Sequence, residues 1–318
     1  MQSLLNSVTS LSSETAAGSA RPDRKREIRK ESGHYRGTFT AMGSPCELLV
    51  DTDDEDLAYR LLDIVAAEAW RVEDKFSRYL PDNIVAKINS AVGKSVTVDD
   101  ETANLIDFAV MLYELSDKHF DISSGVLRKV WRFDGTDNVP LVSDVAAIMS
   151  TVGWHKVCWQ SPEIVLAPGM QIDFGGIGKE YAVDKAAALL VEECSCGCLV
   201  NFGGDLVVVG ESRSTTGWQV GIEQPDSRRA KAQKLIRLQQ GALATSGDTR
   251  RYVINAGKRY SHILDALTGW PVENAPRSIT VAASTCTQAG MLATLAMLRG
   301  ANAESFLKEQ GVQFWCLR

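Results

Sequence analysis

The chain has 318 residues, 45% of them hydrophobic and 23% charged, enough to bury a large core as one large domain or two ordinary ones. Its formal net charge of -6 argues against a general nucleic-acid or membrane-surface binder, because such proteins meet phosphates with a cationic face. No stretch approaches the roughly 20 apolar residues that a membrane-spanning helix needs, and the polar Met1 to Ala20 segment, with no basic start and apolar block, leads us to expect a cytoplasmic protein.

Residues 1–34 run from a polar stretch into the charge run Arg21 to Lys30, with almost no hydrophobic periodicity. A disordered arm is expected there, ahead of one domain over 35–318. Cys46 to Val50 reads as a strand. Leu57, Leu61, Ile64, Val65, Ala69, Val72 and Phe76 recur at helical spacing and predict a helix over 55–76. Asp99 and Asp100 are placed to cap a second helix, whose buried stripe is Leu105, Ile106, Ala109, Val110, Tyr113 and Leu115. A third begins near Lys179 and runs through Ala186 and Leu190.

Short strands follow over Cys198 to Phe202, Leu206 to Val209, Trp218 to Ile222 and Leu235 to Leu238, then a hairpin joins Arg251 to Ile254 with Arg259 to Leu264. Ile279 to Ala283 is a further strand. Helices over Thr287 to Leu298 and Asn302 to Gln310 precede a last strand, Val312 to Cys316. Helices and hairpins mix without strict βαβ alternation, so the fold class is α+β: a single large domain of helices and mainly antiparallel strands.

Seven cysteines make an odd number, and a disulfide framework is not expected. Cys46, Cys158, Cys286 and Cys316 sit singly in apolar runs and read as small buried hydrophobes. Cys194, Cys196 and Cys198 alternate, so an extended segment points three thiols to one side. With no nearby His or second Cys pair to complete a tetrahedral set, a helix-to-strand turn is the reading preferred over a metal site.

Polar-glycine clusters punctuate the domain: Ala41-Met-Gly43, Ser77-Arg-Tyr79, Phe120 to Gly125, Asp173 to Lys179, Asn201 to Asp205, and Ala244 to Asp248. Glycines let backbone N–H groups approach phosphate oxygens, and a helix start adds a favourable dipole. The segment Asp173-Phe-Gly-Gly-Ile-Gly-Lys179 has this form, with a strand-like Gln171-Ile172 before it, a helix after it, and the charge of Lys179. His262 is one of four histidines. An imidazole there has the pKa range to take a proton from a hydroxyl or to orient a phosphate; a purely structural His is the alternative, and it is the reading for His34, His119 and His155.

Read in order, Met42-Gly43, Phe76-Ser-Arg-Tyr79, Phe120-Asp121, the Asp173 to Lys179 segment, Asn201-Phe-Gly-Gly-Asp205, Ala244-Thr-Ser-Gly-Asp248, Ser261-His-Ile-Leu-Asp265 and Thr268-Gly269 resemble the FAD:protein FMN transferase (ApbE) family over residues 37–300. The resemblance implies an ApbE-like fold and an Mg²⁺-dependent enzyme that cleaves FAD, attaches FMN to a Ser or Thr of an acceptor flavoprotein subunit carrying a flavinylation motif, and releases AMP. It implies FAD contacts at Met42, Tyr79, Phe120, Asp121, Ile122, Asp173, Lys179, Ile263 and Leu264, catalysis by His262, and metal ligation by the Gly176 carbonyl and Thr294. A non-catalytic FAD carrier and an FAD pyrophosphatase are the competing functions.

The sequence departs from that pattern twice. Where the resemblance implies an Asp metal ligand, the chain has Gly290, and where it implies a helix-start Gly, the chain has Glu180. FAD phosphates and water, or a carboxylate such as Asp248 or Asp265, are candidates to complete the shell. Glu180 either places a carboxylate near the metal or, as expected for a first-turn acid, simply faces solvent. The segment Asp121 to Val126 is superficially like an acceptor motif, but it coincides with the expected flavin loop, so self-modification is not expected.

Overall fold

The computed structural model describes residues 24–133, 136–213, 217–223, 232–248 and 251–318. Its first strands are β1 (Arg26–Glu31), β2 (His34–Ala41) and β3 (Ser44–Val50), an antiparallel meander. In β2 the buried residues are Tyr35, Gly37, Phe39 and Ala41, the two-residue alternation of a strand with one face on the core. This changes part of the expected N-terminal arm. Residues 26–31, read from the sequence as disordered, pair with β2 through Arg26 opposite Phe39 to Glu31 opposite His34; backbone pairing carries this charged edge strand, so hydrophobic periodicity does not reveal it. Residues 1–23 lie outside the described residues.

Helix α1 (Glu55–Phe76) has the expected bounds. Asp54 caps it by accepting from the Leu57 N–H at 3.0 Å, and its buried stripe includes Leu61, Leu62, Val65, Ala69, Val72 and Phe76. Replacing Asp54 with Ala removes that acceptor and should lower unfolding free energy by about 1 kcal/mol in urea titrations, with no change in the denaturant slope. The next elements are α2 (Ile84–Ser90), β4 (Val96–Thr97), α3 (Asp100–Leu115), a 3-10 helix over Ile122–Lys129, α4 (Val142–Met149), β5 (Cys158–Gln160) and β6 (Glu163–Val165). Asp99 caps α3 as expected. Strands β4 to β6 form a small sheet.

Helix α5 (Gly178–Glu193) leads into β7 (Cys198–Phe202) and β8 (Asp205–Val209); β9 (Trp218–Glu223), β10 (Ala232–Leu238), β11 (Gly241–Gly247), β12 (Tyr252–Asn255), β13 (Lys258–Ser261) and β14 (Ser278–Ala283) follow. Helices α6 (Cys286–Leu298) and α7 (Ala303–Glu309) and strand β15 (Gln313–Leu317) end the chain. The main sheet has eight strands in the order β1-β2-β3-β7-β8-β11-β14-β15, with antiparallel neighbours throughout. Helices α1, α5 and α6 lie side by side against it.

Alternate residues divide between the two faces of the sheet. Cys198, Val200, Phe202, Val207, Ala242, Ala244, Ile279 and Val281 join the core under the helices, whereas Leu199, Leu206, Val208 and Leu243 pack with Trp218 of the β9–β10 hairpin. The α+β expectation therefore stands, and a single domain accommodates it.

Ala244 to Gly247 is not a loop. It belongs to β11 in the middle of the sheet and pairs there with β14, while Gly241 to Leu243 also pair with β8, and small residues disguise it because β11 is covered on one face by α6. The β12–β13 hairpin is present but ends at Ser261, leaving His262 to Leu264 just beyond it. Cys46 and Cys286 are buried as expected; Cys158 is exposed and Cys316 only partly covered, because β5 and β15 lie at the edges of their sheets.

Candidate functional site

The loop from Asp173 is fixed by its own backbone and by three arginine or main-chain contacts. Oδ1 of Asp173 accepts from the Gly175 N–H at 2.9 Å, closing a local turn, and the Ile177 and Gly178 N–H groups donate to the Phe174 carbonyl to begin α5. Phe174, fully buried, meets Phe76 edge-on with ring centroids 5.5 Å apart. The anchored Phe leaves Gly175 and Gly176 exposed, which is the arrangement a phosphate-binding loop needs.

Other expected site residues gather around this loop. The Asp173 N–H donates to the Ile122 carbonyl at 2.9 Å. Arg78 donates to the Gly125 carbonyl at 2.6 Å and to Asp173 at 3.2 Å, while Arg128 lies 3.8 Å from Asp173 and donates to the Tyr79 hydroxyl at 2.8 Å. Tyr79 itself is 64% exposed, leaving its ring accessible for stacking. The Phe120 ring lies against Gly176, where a Cβ would come within 3.2 Å of it.

Asp121 has a different geometry from a free ligand contact. Its carboxylate is buried and accepts from the Ser123 and Trp154 N–H groups at 2.7 and 2.6 Å; burial pushes its pKa up despite those bonds. Ile122 is buried beneath the same turn. Met42 occupies the β2–β3 turn at φ 52°, a left-handed conformation, and its N–H donates to Glu73 at 2.8 Å. Arg78 and Arg128 escaped the sequence reading, although Arg78 stands inside the Phe76 to Tyr79 string that drew attention to Tyr79.

A second group forms where α5 meets α6. Lys179 pairs with Asp205 at 2.6 Å, and Asp205, 2% exposed, also accepts from the Thr245 N–H at 3.0 Å. Burial acts against the Lys179 ammonium, but Asp205 and Glu180 outweigh it and raise its pKa. Asp184 accepts from the Cys286 and Thr287 N–H groups, both at 2.8 Å, fixing the start of α6. On that helix the Thr294 hydroxyl meets Ser246 of β11 at 3.0 Å.

Glu180 does not simply face solvent. Its side chain lies against Gly290: a Cβ built there would be 2.5 Å from Glu180 Cγ and 2.7 Å from Oε1. Burial, followed by the charge of Asp205, pushes the Glu180 pKa up to about 8, with Lys179 opposing. The helix start directs this first-turn acid toward α6 because α5 and α6 pack against each other. Asp248 and Asp265, the other candidates for a replacement carboxylate, are committed elsewhere: Asp248 to Arg259 and Arg277, and Asp265 to His119 at 2.9 Å.

His262 lies beside a separate aromatic cluster. Its ring is 6.3 Å from Phe133, which stacks on Trp131; Tyr260 and Trp270 complete the group. The Nδ1 atom is 3.1 Å from the Arg251 carbonyl. A carbonyl can only accept, so Nδ1 carries the proton and Nε2 presents its lone pair. Burial, reinforced by Arg251, lowers the imidazole pKa to about 4. Ile263 and Leu264 continue past it, the first bonded through its carbonyl to the Val272 N–H and the second bridged to Pro271. Arg128, close to Asp173, is also among the charges acting on His262.

The three thiols expected to share one side do converge. Cys194, Cys196 and Cys198 place their sulfurs within 4.8 Å of one another at the junction of α5 and β7. They are distant in sequence from the glycine loop and from His262.

Comparison with known proteins comes from both sequence and fold. A sequence model described as ApbE family matches residues 42–316. A Klebsiella pneumoniae protein named FAD:protein FMN transferase is 32% identical over 256 residues, covering 78% of this chain and 77% of its own. A Vibrio cholerae protein of the same name is 30% identical over 234 residues, covering 72% and 70%. The crystal structure of the ApbE protein from Thermotoga maritima superposes with a TM-score of 0.80 at 28% identity, covering 89% of this chain and 94% of that one. Apo flavinyl transferase ApbE from Pseudomonas stutzeri gives 0.77 at 26%, covering 93% and 92%.

Proposed function

The chain belongs to the ApbE family, and on that premise we propose that the loop at Asp173, with the Tyr79, Phe120 to Ile122 and His262 to Leu264 segments, binds FAD and passes its FMN half to a protein hydroxyl. The protein is an enzyme, an FAD:protein FMN transferase. The observation that carries the site assignment is the joining of the exposed Gly175-Gly176 turn to the Tyr79 and Ile122 segments through Asp173, Arg78 and Arg128.

In the reaction, a Ser or Thr hydroxyl of the acceptor attacks the FMN phosphorus. A new P–O ester bond forms, the bond to the AMP oxygen breaks, and AMP leaves. Nε2 of His262 receives the hydroxyl proton. Arg78 and Arg128 hold Asp173 and the loop in place; Asp173 takes the Gly175 N–H, which leaves the Gly176 N–H to meet the phosphates. Positioning and electrostatics supply most of the rate in such a transfer. Flavin contact at the Asp121 turn comes from backbone, since the carboxylate already serves Ser123 and Trp154. Lys179 acts on the phosphates through its field while held by Asp205.

The Gly176 carbonyl and the Thr294 hydroxyl are hard oxygen donors of the kind that would hold Mg²⁺, whose charge would be drawn on to stabilise the pyrophosphate. The acceptor is a flavoprotein subunit with a Ser/Thr flavinylation motif. The chain's own similar segment does not serve, because Ser123 is fully buried. Seven free cysteines accord with a reducing cytoplasmic compartment. Among the described residues no helix is long and apolar enough to cross a membrane.

Incubation with FAD, Mg²⁺ and candidate acceptors should yield AMP and an acceptor heavier by one FMN. Intact FAD with every acceptor would favour a non-catalytic carrier, and free FMN without acceptor would favour a pyrophosphatase. The pH profile is a separate test. The base form of His262 predominates above about pH 4 and is lost as pH falls through that value. At saturating Mg²⁺, kcat/KM should therefore show no inflection near the ordinary histidine value of about 6.5; an inflection there that disappears in His262→Ala would contradict the assigned protonation state.

A further inference from the structure

We propose that Glu180 supplies the metal-binding carboxylate that position 290 lacks, so that this chain takes its acid from α5 instead of α6. The inference rests on the transferase reading and concerns how the Mg²⁺ site is completed.

The sequence shows two departures that look unrelated: an extra carboxylate at 180 and a missing one at 290. The structure makes them one change. Helices α5 and α6 pack together, and Glu180 fills the space in front of Gly290, with Cγ, Oε1 and Cδ at 2.5, 2.7 and 2.9 Å from where a Cβ would stand. Its carboxyl group therefore lies about where an Asp at 290 would present its own. The longer Glu side chain spans the added distance from the opposite helix.

The placement also suits the remaining donors. Glu180 stands in the first turn of α5, four residues after Gly176 in the loop that leads into that helix, and Gly290 precedes Thr294 by four residues, one turn, on α6. The carboxylate thus lies where the start of α5, which the Gly176 loop leads into, packs on α6 one turn before Thr294. Neighbouring acids have other partners: Asp205 holds Lys179, and Asp184 caps α6. Among the described residues Glu180 forms no ion pair. Once Glu180 is ionised, it and Asp205 set two close carboxylates against the single ammonium of Lys179, an excess of negative charge that a divalent cation would offset.

The test measures Mn²⁺ binding to the purified full chain by the electron paramagnetic resonance of free Mn²⁺, with thermal melting and metal-free FAD binding as controls for folding. The variants are Glu180→Gln, Gly290→Asp and the exchange Glu180→Gly with Gly290→Asp. Glu180→Gln should weaken Mn²⁺ binding by about tenfold or more while FAD binding without metal is retained. The exchange should recover most of the lost affinity. Gly290→Asp alone should melt lower than the wild type, because its Cβ collides with Glu180. Wild-type Mn²⁺ affinity in Glu180→Gln, an exchange variant that binds no better than Glu180→Gln, or no Mn²⁺ binding by the wild type would overturn the proposal. Failure of the transferase reading is distinguishable: the wild type would then give no FMN adduct, whatever its Mn²⁺ affinity.

Discussion

His262→Ala should lower the rate of FMN transfer by about 10²–10⁴-fold, the range for loss of a positioned general base, while leaving FAD affinity nearly unchanged. The Arg251 carbonyl fixes the proton on Nδ1, so Nε2 is an acceptor without further rearrangement. Burial and Arg251 hold the ring neutral down to about pH 4, which keeps the base available at neutral pH at the expense of intrinsic basicity. Single-turnover formation of AMP and FMN adduct, measured beside FAD binding, separates the chemical step from binding. Equal losses in affinity and rate would place His262 in ligand binding; partial rescue of the Ala variant by free imidazole would support proton transfer. An unchanged transfer rate would remove His262 from the mechanism.

Asp248→Ala should be the most destabilising of the substitutions considered, lowering unfolding free energy by about 3 kcal/mol, near the bottom of the range for breaking a buried ion pair. Asp248 is 5% exposed and joins two cations: Arg259 Nε at 2.6 Å and Arg277 Nε at 2.9 Å. Its backbone takes part as well, the N–H donating to the Arg277 carbonyl and the carbonyl accepting from Arg259. The arginine side chains are about one-fifth exposed, and solvent at their outer edges places the expected loss at the lower end.

Loss of Asp248 leaves two guanidinium groups without their shared acceptor. The effect should reach the site, because Arg259 belongs to β13, which leads directly into His262, while Asp248 follows β11, which carries Ser246 to Thr294. Urea unfolding should show a lower midpoint with an unchanged slope. Asp248→Asn, which keeps an acceptor oxygen, should lose less. A midpoint within experimental error of the wild type for Asp248→Ala would show that the two arginines find other partners at little cost.

How far the sequence reaches depends on whether the signal is local. Helix α1 was legible end to end because its apolar stripe lies within one stretch of chain. Strand β7 was legible too, as a short apolar run. Strand β11 was not, since Gly241 to Gly247 has little apolar bulk and gains its strand character by pairing on both sides. Strand β1 shows the same effect at the edge of the sheet, where backbone bonds order a charged segment.

The candidate site divides along the same line. The ordered strings around Met42, Tyr79, Phe120, Asp173 and His262 identified the family, because turn and loop chemistry is written in consecutive residues. Only the tertiary structure decided which side chains are available: Asp121 serves Trp154, Lys179 is held by Asp205, and Arg78 with Arg128 fixes Asp173. Glu180 and Gly290 make the difference plainest. Each residue alone looks like a departure from the family pattern, and nothing local connects them; packing of α5 against α6 puts the carboxylate of one in the space left by the other. Local sequence determines helix periods, caps and turns, whereas occupancy of a shared volume is set by segments distant in the chain, whose side chains exclude one another only after the fold has formed.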